Sequence, residues 1–165
     1  MFRSVAFDVL SKCVPIVSLS ELAKKTQDPY SEIDISNNII FLHVPKTAGS
    51  AILKQKFGLS HHGHFRPEHY AKKDLERFLK SNKVAVVRNP WDRMVSAFSY
   101  LSQNVGDGKY ARKFVADYLS DVESFEEFIE KMISSEQYRN MVLRWDHFRP
   151  QWDFISYKDD FCVNT

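Results

Sequence analysis

Ile39-Ile-Phe-Leu-His-Val-Pro-Lys-Thr-Ala-Gly-Ser-Ala-Ile-Leu-Lys-Gln-Lys-Phe57 is the stretch that decides the fold. Ile39 to His43 is a short, largely apolar run with β-branched residues, bounded by Asn37-Asn38 before and Pro45 after, which predicts a buried strand. Ala51 to Phe57 reads as a helix closed by Gly58. Val44 to Ser50 is left as a tight loop, so the unit is strand, loop, helix.

The same grammar recurs downstream. Lys83-Val-Ala-Val-Val87 predicts a second buried strand. Asn89 suits an N-cap, Pro90 the first helical position and Asp92 the third, and Trp91, Met94, Val95, Phe98 and Leu101 form that helix's apolar stripe. Pro67 opens another helix, with Tyr70, Leu75, Phe78 and Leu79 as its buried face. Ser124-x-x-Glu127 is a capping box in front of the stripe Phe125, Phe128, Ile129, Met132 and Ile133. Gln137 to Trp145 is expected to be helical, Ser20 to Lys25 to start a short helix, and Asp28-Pro29 and Gly106-Asp-Gly108 to be turns or loops. Strands alternating with helices argue an α/β fold of three layers, with a central parallel sheet flanked by helices. The 165 residues suit a single domain, in which the segment up to about Asn38 is the least readable.

A net charge of +2 argues against nucleic acid as the partner of the whole molecule, so any anion site is local. Cys13 and Cys162 form neither a disulfide framework nor a metal-ligand spacing, and fit a reducing compartment. The apolar N-terminus is interrupted by Arg3, Asp8, Lys12 and Pro15, short of a membrane span. A soluble, cytoplasmic protein is expected.

Two segments carry chemistry. A helix start leaves backbone N–H groups unpaired and carries partial positive charge, so the loop Pro45-Lys-Thr-Ala-Gly-Ser50 can hold an anion. Gly49 permits close approach, Lys46 adds a full charge, and Thr47 and Ser50 add hydroxyls. An ordinary turn with a surface lysine is the alternative. The order is not that of a nucleotide-binding Walker loop, whose lysine follows the second glycine; here Lys46 precedes Gly49. In the second segment Arg88 closes a strand just before a helix, offering a planar fork of donors to a phosphate, and Ser96 lies two turns further on. The competing possibility is that Arg88 pairs with Asp92 while Ser96 merely packs. Taken together, the two junctions put two separated phosphate sites at the carboxyl edge of one sheet.

Phe41-Leu-His-Val-Pro-Lys-Thr-Ala-Gly-Ser50 resembles the 5′-phosphosulfate loop of the sulfotransferases that use PAPS (3′-phosphoadenosine-5′-phosphosulfate). Val87-Arg-Asn-Pro-Trp-Asp-Arg-Met-Val-Ser-Ala-Phe98 resembles their 3′-phosphate segment. Phe125-Glu-Glu-Phe128 and His147-Phe-Arg-Pro-Gln151 are also similar to family positions, and the likeness runs from about Ile39 to Ile155. It points to the carbohydrate branch, with the heparan sulfate 2-O- and 6-O-sulfotransferases and their short bacterial relatives. The resemblance implies a P-loop-NTPase-like sulfotransferase fold and PAPS as donor, with no metal. It implies Lys46, Thr47, Ala48, Gly49 and Ser50 on the phosphosulfate and Arg88 and Ser96 on the 3′-phosphate. The acceptor it implies is a hydroxyl, on a glycan. Ser50 stands where relatives often have Thr, which keeps the hydroxyl. Relatives continue past the Pro-Gln segment into a further strand and helix, so a truncated or minimal form is expected.

Ser60-His-His-Gly-His-Phe-Arg-Pro-Glu-His69 holds four of the six histidines. A polar surface loop and a fortuitous metal site are the bland alternatives, and the spacing matches no common zinc motif. An imidazole titrates near neutral pH and suits removal of a proton from an attacking hydroxyl. His62-Gly-His64 is similar to the His-Gly-His of the 2-O-enzymes, which makes His64, then His62, the expected base, with Lys46 stabilising the leaving oxygen. Arg66 is a further candidate for sulfate or an acidic acceptor. A small nucleotide kinase and a non-catalytic PAP- or glycan-binding module are the rival functions.

Overall fold

The structure, a computed structural model, describes residues 14–58, 63–103 and 108–163. The chain divides into two compact units. One holds the chain up to Thr26 together with Phe98–Trp145, the other Gln27–Ala97 together with the chain from Asp146.

The first unit is helical. It contains α1 (Ile16–Lys24), the last turns of α6 (Pro90–Gln103), α7 (Lys109–Tyr118), α8 (Phe125–Ser134) and α9 (Glu136–Leu143). Its core is aromatic. Phe114 stacks on Trp145 with ring centroids 4.6 Å apart, and Phe98 lies 5.1 Å from Phe128. Tyr138 is buried with its hydroxyl donating to the Tyr118 carbonyl at 2.6 Å, so the phenol is not left unsatisfied. α8 starts where the capping box predicts. Ser124 Oγ accepts from the Glu127 N–H at 3.1 Å, while Glu127 Oε2 reaches one residue past the cap, to the Glu123 N–H at 2.8 Å. Ile133, expected in the α8 stripe, is exposed.

The second unit contains α2 (Glu32–Asn37), β1 (Ile39–Leu42), α3 (Gly49–Phe57), α4 (Pro67–Lys73), α5 (Leu75–Lys80), β2 (Asn82–Ala85), the first turns of α6, α10 (Trp152–Ile155) and the hairpin β3 (Ser156–Tyr157) with β4 (Asp160–Phe161). β1 and β2 pair in parallel, from Ile39↔Asn82 to Leu42↔Ala85. The mixed α/β class holds, with helices dominant. Among the described residues the parallel sheet has two strands, narrower than the central sheet of a three-layer fold. Ile40, Leu42, Phe65, Tyr70, Ala71 and Phe78 form its core.

Several elements differ from expectation for local reasons. α2 lay in the unreadable segment, although Ser31 and Asp34 cap it reciprocally (Ser31 N–H to Asp34 Oδ2, 2.7 Å) and Asn38 ends it in the left-handed region. The helix expected from Pro67 through Leu79 breaks at Asp74, whose backbone is extended and whose Oδ1 accepts from the Arg77 N–H at 3.0 Å to cap α5; Leu75 and Leu79 are exposed. β2 ends at Ala85 and is not buried throughout, since Val84 faces solvent and Lys83 faces inward. Lys83 covers the Phe78 ring with its stem and donates its ammonium to the Leu79 carbonyl at 3.3 Å. On α6, Phe98 and Leu101 are buried as expected, but Trp91 and Val95 are exposed, and the inward side also takes Arg93 and Ala97. No helix among the described residues is long and apolar enough to cross a membrane.

Candidate functional site

The parallel register sets the site. With Leu42 opposite Ala85, the two chain segments leave the same end of the sheet side by side, one as His43 to Ala48 and the other as Val86 to Asn89. Both then enter helices. Ligands of open α/β sheets bind at this carboxyl edge.

The first junction is backbone held in an uncommon shape. Lys46 and Ala48 both take positive φ, 67° and 65°, on either side of Thr47. Such a conformation costs a side-chain-bearing residue about 1–2 kcal/mol. Alternating hands turn successive N–H groups into an anion-binding concavity. Ala48 occupies the N-cap of α3 and offers no side-chain acceptor, and a helix start leaves the N–H groups of Gly49 and Ser50 without intrahelical carbonyls. Thr47 departs from expectation. Its buried hydroxyl donates to the Val44 carbonyl at 2.9 Å, so it braces the loop. Ser50 is exposed.

Gly49 is required for a reason the sequence did not give. A Cβ there would fall 2.2 Å from Cδ2 and 2.5 Å from Nε2 of His43. His43 is itself 4% exposed, so the ring is buried against the loop at Gly49.

At the second junction Asn89 caps α6, its Oδ1 accepting from the N–H of Trp91 at 2.9 Å and of Asp92 at 3.4 Å. Arg88 is exposed just before it, and no ion pair joins it to Asp92 among the described residues. Its peptide is gripped on both sides by one amide: the Arg88 N–H donates to Gln151 Oε1 at 2.9 Å, and Gln151 Nε2 donates to the Arg88 carbonyl at 2.8 Å. Ser96 is half-buried on α6, two turns along. Burial lowers the Lys46 ammonium below its usual range, and the positive charge of Arg88 lowers it further. The two cations are thus within electrostatic reach of one another.

Residues 32–161 match the family model for the Sulfotransferase family. The chain belongs to the sulfotransferase family. No curated protein and no solved structure matches it.

In this sulfotransferase-family chain the expected base is placed beside the loop. His64 Nδ1 lies 3.3 Å from the His43 carbonyl oxygen. A carbonyl only accepts, so this contact favours the proton on Nδ1 and the lone pair on Nε2. The His64 ring packs against His43 at 4.5 Å and edge-to-face on His147 at 5.4 Å. His61 and His62 lie outside the described residues. Arg66 is engaged with Glu68 at 2.8 Å. Among the described residues no group of His, Cys, Asp and Glu side chains is arranged to hold a metal ion.

Sequence reasoning passed over four residues that build the site: His43, Arg93, His147 and Gln151. Arg93 is 4% exposed, and its guanidinium donates to the carbonyls of Pro45 (3.5 Å), His147 (3.0 Å) and Arg149. All four sat inside quoted motifs. Their types, however, are ones that solvent-exposed positions also carry, and only long-range contacts separate the two cases.

Proposed function

We propose that the protein transfers the sulfuryl group of PAPS to a hydroxyl, with a carbohydrate as acceptor. The observation that carries this reading is the parallel β1–β2 register, which sets two cation-bearing strand-to-helix junctions side by side at one sheet edge. A nucleotide with separate 5′ and 3′ anionic groups fits two such sites. The loop from Lys46 to Ser50, through its N–H groups and the Lys46 ammonium, takes the 5′-phosphosulfate; Arg88 and, on α6, Ser96 take the 3′-phosphate. The wider three-layer, P-loop-NTPase-like sheet belongs to the same reading.

Transfer is an in-line displacement. The acceptor oxygen forms a bond to sulfur as the bond from sulfur to the bridging phosphate oxygen breaks, and the hydroxyl proton passes to Nε2 of His64. Negative charge grows on the leaving phosphate, where Lys46 and the loop N–H groups stabilise it. The tautomer favoured by the His43 carbonyl leaves Nε2 of His64 as the proton acceptor, which suits His64 to the role of base. No step calls for a metal ion.

Calorimetric titration with PAP, the desulfated product, tests the donor site. Lys46→Ala and Arg88→Ala are each expected to weaken binding about tenfold or more, the loss of about 1.4 kcal/mol or more that a charge-assisted contact supplies. Affinity indifferent to both substitutions sinks the donor assignment. Transfer of labelled sulfate to a panel of glycans and small alcohols then tests the acceptor class. His64→Ala is expected to abolish turnover while sparing PAP affinity. Stabilisation by ATP and magnesium but not by PAP would instead favour a phosphotransferase.

A further inference from the structure

We propose that Arg93 is a positioning residue that holds the donor loop, the histidine pair and the Arg88 brace in one arrangement. Its guanidinium sits 4% exposed on α6, and among the described residues no carboxylate pairs with it; the nearby Asp153 pairs with Arg149 at 3.4 Å. A cation buried against carbonyl dipoles alone is costly to keep. Burial accordingly lowers the proton affinity of Arg93, although a guanidinium stays charged at any physiological pH.

The three carbonyls it holds are what give that charge a role. Pro45 directly precedes Lys46, the left-handed residue that opens the anion loop. His147 carries the ring that packs edge-to-face on His64. Arg149 lies two residues before Gln151, whose amide grips the Arg88 peptide on both sides. One planar fork thus ties together the 5′ loop, the base and the 3′ arginine, and adds positive potential behind the loop. A lysine keeps the charge but reaches carbonyls from a single nitrogen, without the fixed spread of a guanidinium.

The proposal deepens the sulfuryl-transfer reading and rests on it for one arm of the test only. Arg93→Lys is compared with the parent chain by hydrogen exchange, read by mass spectrometry, and by PAP titration. Peptides covering residues 41–52 and 145–152 are expected to exchange at least tenfold faster in the variant, while a peptide covering 125–134 is unchanged. PAP is expected to bind at least tenfold more weakly, at a temperature where circular dichroism shows the variant folded. A purely structural role would lower Tm and speed exchange evenly, leaving the affinity of the folded fraction intact; that result overturns the proposal, as does unchanged exchange in the loop. If Arg93→Lys does not fold, Arg93→Gln is measured in the same way, and failure of both to fold makes Arg93 a stability residue and overturns the proposal. A parent chain that ignores PAP defeats the donor assignment, while the exchange arm still decides the clamp.

Discussion

Gly49→Ala offers the sharpest test of how the anion loop is built. The added methyl would sit 2.2 Å from His43 Cδ2, against an ordinary carbon–carbon contact of about 3.5–4.0 Å, so something must give by about 1.3 Å or more. The ring has little freedom to move, because His43 is buried and packs against the His64 ring, centroids 4.5 Å apart. Overpacking of this kind costs about 1–3 kcal/mol. Replacing glycine returns about 0.4–1 kcal/mol by restricting the unfolded chain, since Gly49 does not need a positive φ. The net loss of stability is thus about 0–2.6 kcal/mol, or at most about 10 °C in Tm at about 2–4 °C per kcal/mol. Stability alone would not identify the cause. Binding does: a loop displaced by an ångström no longer aims its N–H groups at one point, and PAP affinity is expected to fall about tenfold or more, or about 1.4 kcal/mol. His43→Ala removes the obstruction, so the double variant should bind PAP better than Gly49→Ala alone. The coupling measured by calorimetry should be at least about 1 kcal/mol. Wild-type affinity in Gly49→Ala, or effects that add to within about 0.5 kcal/mol, would refute the packing argument.

Further outcomes follow from other contacts. Lys46 holds its proton less firmly than an ordinary lysine, because of burial first and Arg88 second. Between that lowered value and the unfolded value of about 10.4, the unfolded chain binds more protons, so the stability of the unliganded protein rises with pH across this window. PAP affinity should move the other way, falling as Lys46 loses its charge, and a flat affinity from pH 7 to 10.5 would remove Lys46 from the site. Gln151→Ala deletes both bonds to the Arg88 peptide, each worth about 0.5–1.5 kcal/mol, and is expected to weaken PAP binding several-fold with little change in the fold by circular dichroism. Ser124→Ala removes the α8 cap and should cost about 1 kcal/mol of stability in a denaturant titration, with PAP affinity unaltered.

The parts of this protein that were legible are those fixed by neighbours in sequence. The β1–loop–α3 unit, the Asn89-Pro90 start of α6 and the Ser124 cap of α8 each rest on local rules, and each lies within a residue or two of its expected place. Failures came where a cap or a side-chain contact that the apolar pattern does not register overrode that pattern. Val84 and Val87 look like strand interior by composition, yet β2 ends at Ala85 and both are exposed, while Lys83 turns inward over the Phe78 ring. Leu75 and Leu79 fit a helical stripe until Asp74 breaks the helix and rotates them outward.

The candidate site divides in the same way. Lys46, Gly49 and Arg88 are readable because their type is unusual for their position in a strand-loop-helix unit. His43 and Arg93 are not, because each acts by touching backbone brought from elsewhere: Gly49 and His64 for the one, Pro45, His147 and Arg149 for the other. The motif Arg88-Asn-Pro-Trp-Asp-Arg93 contains two arginines five residues apart: Arg88 precedes α6 and is exposed, whereas Arg93 lies within its first turns and is buried. The first faces solvent, where the 3′-phosphate is proposed to bind, while the second donates to the carbonyls of Pro45, His147 and Arg149. The outward Trp91 between them, 78% exposed, and the inward Arg93 invert what hydropathy alone expects. A buried cation is costly for stability in isolation, and it is intelligible if, as proposed, it holds the backbone from which both anion-binding junctions are built.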